Sequence, residues 1–248
     1  VEFRSVSFKY PDAAEPVLEN ISFTAKKGET VAFIGSTGSG KSTLINLVPR
    51  FFDATDGEIL IDGVNVKDYK MEALFNKIGY VPQKAVLFRG TIKSNVAYGD
   101  NGSEKYGEDE VRRAVQIAQG ADFVEKMDGE YEASIAQNGA NISGGQKQRL
   151  AIARAVCRKP EIYVFDDSFS ALDYKTDRIL RSVLKKETSG VTSLIVAQRI
   201  GTIMDADQII VLDEGKIVGK GTHKELLREC TVYREIAMSQ LSEEELAS

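Results

Sequence analysis

A glycine-rich stretch at residues 35–43, GSTGSGKST, limits the chain to few folds because it fits the pattern G-x-x-x-x-G-K-[ST]. The apolar run TVAFI precedes it, and STLINLV, which has helical character, follows. Glycines let successive backbone N–H groups curl around phosphate oxygens, and the following helix N-terminus adds partial positive charge. This context predicts a strand, a phosphate-binding loop and a helix that together bind a nucleoside triphosphate. We expect Lys41 to reach the β- and γ-phosphates and Ser42 to ligate Mg²⁺.

A second apolar run, IYVFD at residues 162–166, ends in an acid and is followed by another, Asp167. Beside a phosphate loop, such a strand delivers a carboxylate to the metal. We therefore expect Asp166 to be held near the magnesium through water. The role of Asp167 is a separate question, which depends on the reach of its side chain.

The remaining pattern predicts an α/β fold. Runs such as EFRSVSFKY, ENISFTA and GEILIDG alternate and carry turn signals, which predicts an N-terminal antiparallel β subdomain. TVAFI, IYVFD, TSLIVA and QIIVL are continuous and β-branched, as in strands of a parallel sheet buried on both faces. We expect a P-loop core with a mixed sheet from residues 1–84 and 156–248. Residues 85–155 lose the strand signal and are predicted to form an inserted α-helical subdomain.

Composition excludes several other classes of protein. Hydrophobic content of 42% and charged content of 28% are those of a globular domain, and the formal charge of −5 implies no basic face for nucleic acid. Cys157 and Cys230 form neither a disulfide framework nor a metal-binding spacing, so we expect two buried small side chains. No apolar run approaches the ~18 residues of a membrane span. Because the chain begins at Val1 in a strand-like pattern without a leader, we expect it to be part of something longer.

A second glycine-rich element, NISGGQKQRLAIARAV, occupies residues 141–156. It places Ser143, Gly144 and Gly145 at the start of an amphipathic helix, where unpaired helix N–H groups form an anion site. One chain therefore carries two predicted phosphate cradles, which a simple P-loop enzyme does not need.

Taken together, these motifs resemble the nucleotide-binding domain of ABC exporters over the whole chain. FKYP resembles the loop whose aromatic residue, here Tyr10, stacks on adenine, with Val17 nearby. YVPQ resembles the Q-loop, which implies Gln83 near Mg²⁺ and beside the surface that touches the coupling helices of a transmembrane domain. LFRGTIKSNVAYG (87–99), SALD (170–173) and GTHKELL (221–227) are also similar to exporter sequences. The nucleotide-contacting residues implied on the phosphate loop are Gly35, Ser36, Thr37, Gly38, Ser39, Gly40, Lys41, Ser42 and Thr43.

The resemblance also explains the two cradles. In this family two domains pack head to tail, so ATP on one phosphate loop meets the signature of the other domain. Here that signature is Ser143, Gly144, Gly145 and Gln146, with Asp173 beside it. The implied partners are a second nucleotide-binding domain and a transmembrane domain. The implied ligands are ATP and Mg²⁺, at the cytoplasmic face of a membrane.

Three positions depart from the exporter pattern. Asp167 stands where the family has the glutamate that orients the attacking water, and Gln198 stands where it has a histidine that contacts the γ-phosphate. Gln137 replaces a glutamate in the loop that senses the membrane domain. Asp is shorter than Glu by about 1.5 Å, and a misplacement of about 1 Å can cost on the order of 10²-fold in rate. Losing a positioned γ-phosphate donor costs on the order of 10²–10³-fold.

We therefore expect this chain to bind ATP and to cleave it slowly, while its signature completes a partner's site. This predicts the degenerate-site subunit of a heterodimeric exporter. Two alternatives stay open: a homodimer in which Asp167 is a sufficient base, and a non-transport, ATP-switched module. His223, at the start of a C-terminal helix, is expected to be structural, and Pro49 is expected to end or kink the helix after the phosphate loop.

Overall fold

The computed structural model of the protein describes residues 1–99 and 106–242. Its strands, in chain order, are β1 Glu2–Phe8, β2 Leu18–Thr24, β3 Thr30–Gly35, β4 Asp56–Ile61, β5 Val64–Asn65, β6 Ile78–Val81, β7 Gly90–Thr91, β8 Ser134–Ile135, β9 Ile162–Asp166, β10 Thr192–Val196, β11 Gln208–Asp213 and β12 Lys216–Gly221.

The α-helices lie between and after these strands. They are α1 Lys41–Asn46, α2 Met71–Lys77, α3 Ile92–Val96, α4 Glu108–Ile117, α5 Ala121–Val124, α6 Gly144–Cys157, α7 Tyr174–Glu187, α8 Ile200–Ile203, α9 His223–Glu229 and α10 Thr231–Met238. Helix α1 ends three residues before Pro49, as the sequence predicts.

The chain divides into two compact units. Unit 1 comprises Val1–Leu74 and Thr192–Ser248, and unit 2 comprises Phe75–Val191. The predicted helical subdomain of residues 85–155 lies within unit 2, and its boundaries stay a prediction.

The N-terminal part of unit 1 is an antiparallel sheet in the order β2-β1-β4-β5. Alternate side chains of β1 and β2 are buried, and the rings of Phe3 and Phe23 stack with their centroids 4.5 Å apart. The alternation in the sequence therefore has a simple cause: one face of this sheet lies on the core. The expected antiparallel β subdomain is confirmed.

The second sheet of unit 1 has parallel strands. Strands β10 and β11 flank β3, both running parallel to it, and β12 adds to β11 in the antiparallel sense. The interior residues of β3 and β11 are all buried, which is why their sequences are continuous apolar runs rather than alternating ones. Strand β3 is flanked on both sides and ends at Gly35. The phosphate loop begins at this carboxyl end of the strand.

Unit 2 is mainly helical around a pair of parallel strands, β6 and β9. Helix α6 packs against α3, α4 and β6, and nearly all of its apolar residues are buried. The predicted helical stretch 108–127 forms two helices, α4 and α5, because the chain turns at Gln119, whose φ is +57°, and at Gly120. The short antiparallel pair β7 and β8 was not predicted, since two residues per strand cannot show an alternating pattern.

Helices α9 and α10 follow β12 and belong to unit 1. The C-terminal helix that was expected to begin near His223 is seen as these two helices. Both cysteines are buried, and burial raises the pKa of Cys157 to about 11, so that thiol packs as a small apolar side chain.

The single histidine joins the two C-terminal helices. His223 is buried, and its Nδ1 lies 2.7 Å from the hydroxyl of Tyr233. Burial lowers the pKa of His223 below its ordinary value because the interior disfavours the imidazolium. This packing accounts for His223 without a role in chemistry. In residues 1–99 and 106–242 no helix is both long enough and apolar enough to cross a bilayer.

Lowering the pH should destabilise the protein through His223. Its pKa is depressed in the folded state, so below the unfolded value of about 6.5 the unfolded chain takes up a proton that the folded chain resists. We expect the free energy of unfolding to fall between about pH 7.5 and about pH 5.5, measured by urea denaturation. The fall should be smaller in His223→Gln, which lacks this titrating group. Equal falls in both proteins would contradict the assignment.

Candidate nucleotide-binding site

The phosphate loop of unit 1 connects β3 to α1 through backbone that favours glycine. Gly38 and Gly40 have φ of +84° and +94°, and Gly40 is the N-cap of α1. A Cβ on Gly40 would lie 2.7 Å from Leu18 Cδ2, and one on Gly35 would overlap the carbonyl oxygen of Leu212. Gly38 has open space around it, so only its φ requires glycine. The loop therefore exposes backbone N–H groups in a concave arrangement suited to phosphate oxygens.

Lys41 already lies over this loop. Its Nζ donates to the carbonyl oxygens of Gly35 at 2.9 Å and Ser36 at 2.7 Å, and to Ser39 Oγ at 3.2 Å. Ser39 is buried, so its hydroxyl forms part of the floor of the loop. An ammonium group has three donors and no acceptor, and phosphate oxygens are stronger acceptors than these neutral oxygens. Lys41 therefore lies at the loop with acceptors that phosphate oxygens could replace.

Tyr10 approaches the end of the same loop. Its hydroxyl is 3.1 Å from Thr43 Oγ1, and its half-buried ring meets those of Phe8 and Phe52 edge to face at 4.8 and 5.3 Å. Val17 donates its N–H to the Phe8 carbonyl at 2.8 Å. An aromatic ring is therefore fixed beside the phosphate loop, where a base could stack. The hydrogen bond to Thr43 was not foreseen, because residues 10 and 43 share no sequence pattern.

The paired acids lie at the carboxyl end of β9 in unit 2. The hydroxyl of Tyr80 is 3.5 Å from Asp166 Oδ2, and burial together with this carboxylate raises the pKa of Tyr80, so it stays protonated and can donate. Asp167 has a left-handed backbone with φ of +48°, which Asp tolerates better than most residues. Gln83 donates from Nε2 to Asp167 Oδ2 at 3.0 Å. The buried carboxylate of Asp167 is therefore directed toward the glutamine.

The signature residues begin helix α6. Ser143 is its N-cap: Ser143 Oγ accepts from the N–H of Gln146 at 3.2 Å, and Gln146 Oε1 accepts from the N–H of Ser143 at 2.9 Å. In this capping box the serine hydroxyl serves as an acceptor, so its own hydrogen stays available for an anion. Gly144 has open space around it, whereas a Cβ on Gly145 would lie 3.3 Å from the carbonyl oxygen of Ala171.

Asp173 is exposed and caps helix α7. Its carboxylate accepts from the Thr176 N–H at 2.9 Å and from Thr176 Oγ1 at 2.7 Å. These hydrogen bonds hold the pKa of Asp173 below its ordinary value. The residue thus has a clear structural role as an N-cap, and its expected role toward a partner stays a prediction.

The other two departures from the exporter pattern are exposed. Gln198 follows β10 and precedes α8, in unit 1. Gln137 begins a short 3₁₀ turn in unit 2. Unit 1 carries the phosphate loop, Tyr10, Val17 and Gln198, whereas unit 2 carries Gln83, Asp166, Asp167, the signature and Asp173.

The side chains expected to serve magnesium have the required chemistry. The Ser42 hydroxyl is exposed in the first turn of α1, and Asp166 supplies a carboxylate. Both are hard oxygen donors of the kind that Mg²⁺ takes in small number alongside phosphate and water. In the described part of the chain no group of three or more His, Cys, Asp or Glu side chains could hold a metal by itself. The residues fit a magnesium ion that arrives with the triphosphate.

The strand, glycine loop and helix of unit 1 define a phosphate-loop nucleotide-binding protein of the α/β class. The family model described as ABC transporter matches residues 18–170, more than half of the sequence. The chain belongs to the ABC transporter family.

Individual relatives extend the match to nearly the whole chain. An uncharacterized ABC transporter ATP-binding protein of Mycobacterium tuberculosis is 49% identical over 97% of the chain, and the ATP-dependent lipid A-core flippase of Haemophilus influenzae is 42% identical over 98%. In both cases the match covers 41% of the relative, so the chain spans about two fifths of their length. A bacterial Atm1-family ABC exporter solved with ATP bound superposes with a TM-score of 0.92 at 38% identity, over 98% of this chain and 42% of that one. The expected fold and the resemblance to exporter nucleotide-binding domains are confirmed.

Replacing Gly40 by alanine should weaken ATP binding by at least about tenfold, because the new methyl group meets Leu18 and the backbone loses its preferred φ. Titration with a fluorescent ATP analogue measures the effect. Gly63→Ala is the matched control, since Gly63 has φ of +77° and open space around it. Wild-type affinity in Gly40→Ala would contradict the assignment of the loop.

Proposed function

We propose that the chain is the ATP-binding part of an exporter, which binds ATP with Mg²⁺ and pairs head to tail with a second such domain to drive transport at the cytoplasmic face of a membrane. The observation that carries this proposal is the phosphate loop, in which Gly38 and Gly40 have φ values of +84° and +94° and Lys41 lies over the loop backbone. The names of the relatives, a flippase and an Atm1-family exporter, support export rather than another use of ATP.

In this proposal each side chain has a simple task in binding. Tyr10 stacks on adenine, the loop N–H groups surround the phosphates, and Lys41 exchanges its loop carbonyls for phosphate oxygens. Ser42, Gln83 and Asp166 are the magnesium-facing residues. Magnesium, when bound with ATP, neutralises charge on the phosphate oxygens.

The cleaving side of the site is the weak part. A base must lie within hydrogen-bond reach of the attacking water, and Asp167 is about 1.5 Å shorter than glutamate. Its Oδ2 also accepts a hydrogen bond from Gln83, so this carboxylate oxygen is already engaged by a neighbouring side chain. Gln198 can donate one hydrogen bond to a phosphate but cannot carry the charge of an imidazolium. We therefore propose that ATP is held on this chain and cleaved slowly.

The signature half is complete, and we propose that it serves the ATP of a partner. Ser143 keeps its hydroxyl hydrogen available, and the N-terminal N–H groups of α6 face outward from a capped helix. A chain that is weak in its own site and intact in its signature is suited to a heterodimer whose other subunit has glutamate and histidine at the matching positions. The homodimer with Asp167 as base is the second candidate, because one chain carries both halves of a composite site.

Restoring the two missing groups should activate the chain. We expect Asp167→Glu combined with Gln198→His to raise the rate of ATP cleavage by on the order of 10²-fold or more, with ATP affinity unchanged. Since two repaired copies can complete each other's sites, the specific activity should rise with protein concentration. The rate of ATP cleavage is measured as the release of inorganic phosphate.

Asp128→Glu, an exposed turn residue of unit 2, is the matched control and should have no effect. If instead the wild-type chain cleaves ATP rapidly and Asp167→Asn abolishes that activity, the homodimer with an aspartate base is correct and the slow-site proposal is wrong.

The head-to-tail arrangement can be tested by complementation in the repaired chain. Lys41→Ala should inactivate the phosphate loop, and Ser143→Ala should inactivate the signature, so each protein alone should be inactive. Mixed in equal amounts, they should regain activity, because one of the two sites in each mixed dimer combines an intact loop with an intact signature. Thr222→Ala removes an equivalent capping box in α9 and controls for loss of a helix cap. No recovery on mixing would contradict the composite site.

A further inference from the structure

A glutamine near the C-terminal end of the described chain binds both sides of the Gln198 loop, residues 198–200. The side-chain amide of Gln240 donates from Nε2 to the carbonyl oxygen of Gln198 at 2.8 Å and accepts at Oε1 from the N–H of Ile200 at 2.8 Å. The two bonds use the donor and the acceptor of one amide. With the amide oxygen and nitrogen exchanged, oxygen would face the Gln198 carbonyl oxygen and NH₂ would face the Ile200 N–H. The orientation of the amide is therefore determined by its partners.

The loop has a structural need for this amide. Helix α8 is only one turn long, and its N-cap residue, Arg199, makes no side-chain cap. The first N–H groups of a helix have no partner within it, and Gln240 supplies one for Ile200 from 40 residues away. The carbonyl oxygen of Gln198 accepts a hydrogen bond from the other half of the same amide.

Gln240 is exposed, but the helix before it is anchored in the core of unit 1. It follows α10, whose Tyr233 and Ala237 are completely buried, and its own N–H donates to the Ala237 carbonyl at 3.0 Å. Helix α10 packs against β12 and against β3, the strand that leads into the phosphate loop. The helix that precedes Gln240 therefore packs on the strand that leads into the phosphate loop.

We propose that Gln240 is a positioning residue for the γ-phosphate: it sets the backbone at residues 198–200 so that the Gln198 side chain is placed for the terminal phosphate of ATP. The inference rests on the proposed role of Gln198 and goes beyond it, since it assigns the geometry of that residue to a side chain 42 positions away. Gln240 contacts no nucleotide in this scheme. It acts only through the loop.

A double-mutant cycle on ATP and ADP binding tests the proposal. ADP lacks the γ-phosphate, so the ratio of ADP to ATP dissociation constants, measured by titration calorimetry with Mg²⁺, isolates the contribution of that group. We expect Gln198→Ala and Gln240→Ala each to lower this ratio by about three- to tenfold, with ADP affinity unchanged. The double variant should lower it no further than either single change, because both remove one interaction.

Gln240→Glu separates positioning from simple capping. It keeps an acceptor for the Ile200 N–H but faces the Gln198 carbonyl with oxygen, so the ratio should stay low even where the melting temperature recovers. Gln116→Ala, an exposed glutamine of α4, is the matched control and should change neither quantity.

The outcomes are distinguishable. Suppose that Gln198→Ala lowers the ratio of the ADP to the ATP dissociation constant. A wild-type ratio in Gln240→Ala, or full recovery of the ratio in Gln240→Glu, would then overturn this inference alone. An unchanged ratio in Gln198→Ala would overturn the γ-phosphate role of Gln198 and this inference with it. If the wild-type chain bound neither ATP nor ADP, the result would instead contradict the proposed function.

Discussion

The backbone of the phosphate loop is the constraint on which the rest depends. Gly35 passes so close to the Leu212 carbonyl, and Gly40 so close to Leu18, that no side chain fits at either position. Both neighbours belong to strands of unit 1, so the loop conformation follows from the packing of β3 and its surroundings. A loop built this way holds its N–H groups toward an anion before the ligand arrives, which reduces the entropy lost on binding.

The residues expected to bind ATP and those expected to cleave it lie in different parts of the chain. Only the binding residues match the exporter pattern. The phosphate loop, the aromatic ring beside it and the capped signature helix are all formed. Asp167, by contrast, is a short acid in a left-handed backbone that accepts a hydrogen bond from Gln83. A carboxylate in that setting is suited to organising neighbouring polar groups. We propose on this basis that the chain holds ATP and contributes its signature to the site of a partner.

Local patterns were enough to predict much of the fold. The run IYVFD corresponds residue for residue to β9, and TVAFI covers all of β3 except its last residue, because strands buried on both faces leave continuous apolar patterns. The glycine loop was predictable since its spacing is imposed by phosphate geometry. The short pair β7 and β8, the bond from Gln83 to Asp167 and the amide of Gln240 were not. Each joins residues 40 or more positions apart through one or two hydrogen bonds, which leave no periodic trace in a single sequence.

The state of the nucleotide on this chain during turnover tests the central claim most directly. In a complex with a partner that carries glutamate and histidine at the matching positions, an azido-ATP labelled on its α-phosphate can be photochemically attached beside Tyr10 while the partner hydrolyses ATP. Digestion of the isolated chain then shows whether the attached label is triphosphate or diphosphate. We predict triphosphate on this chain after many partner turnovers. Diphosphate on this chain, formed as fast as on the partner, would contradict the account.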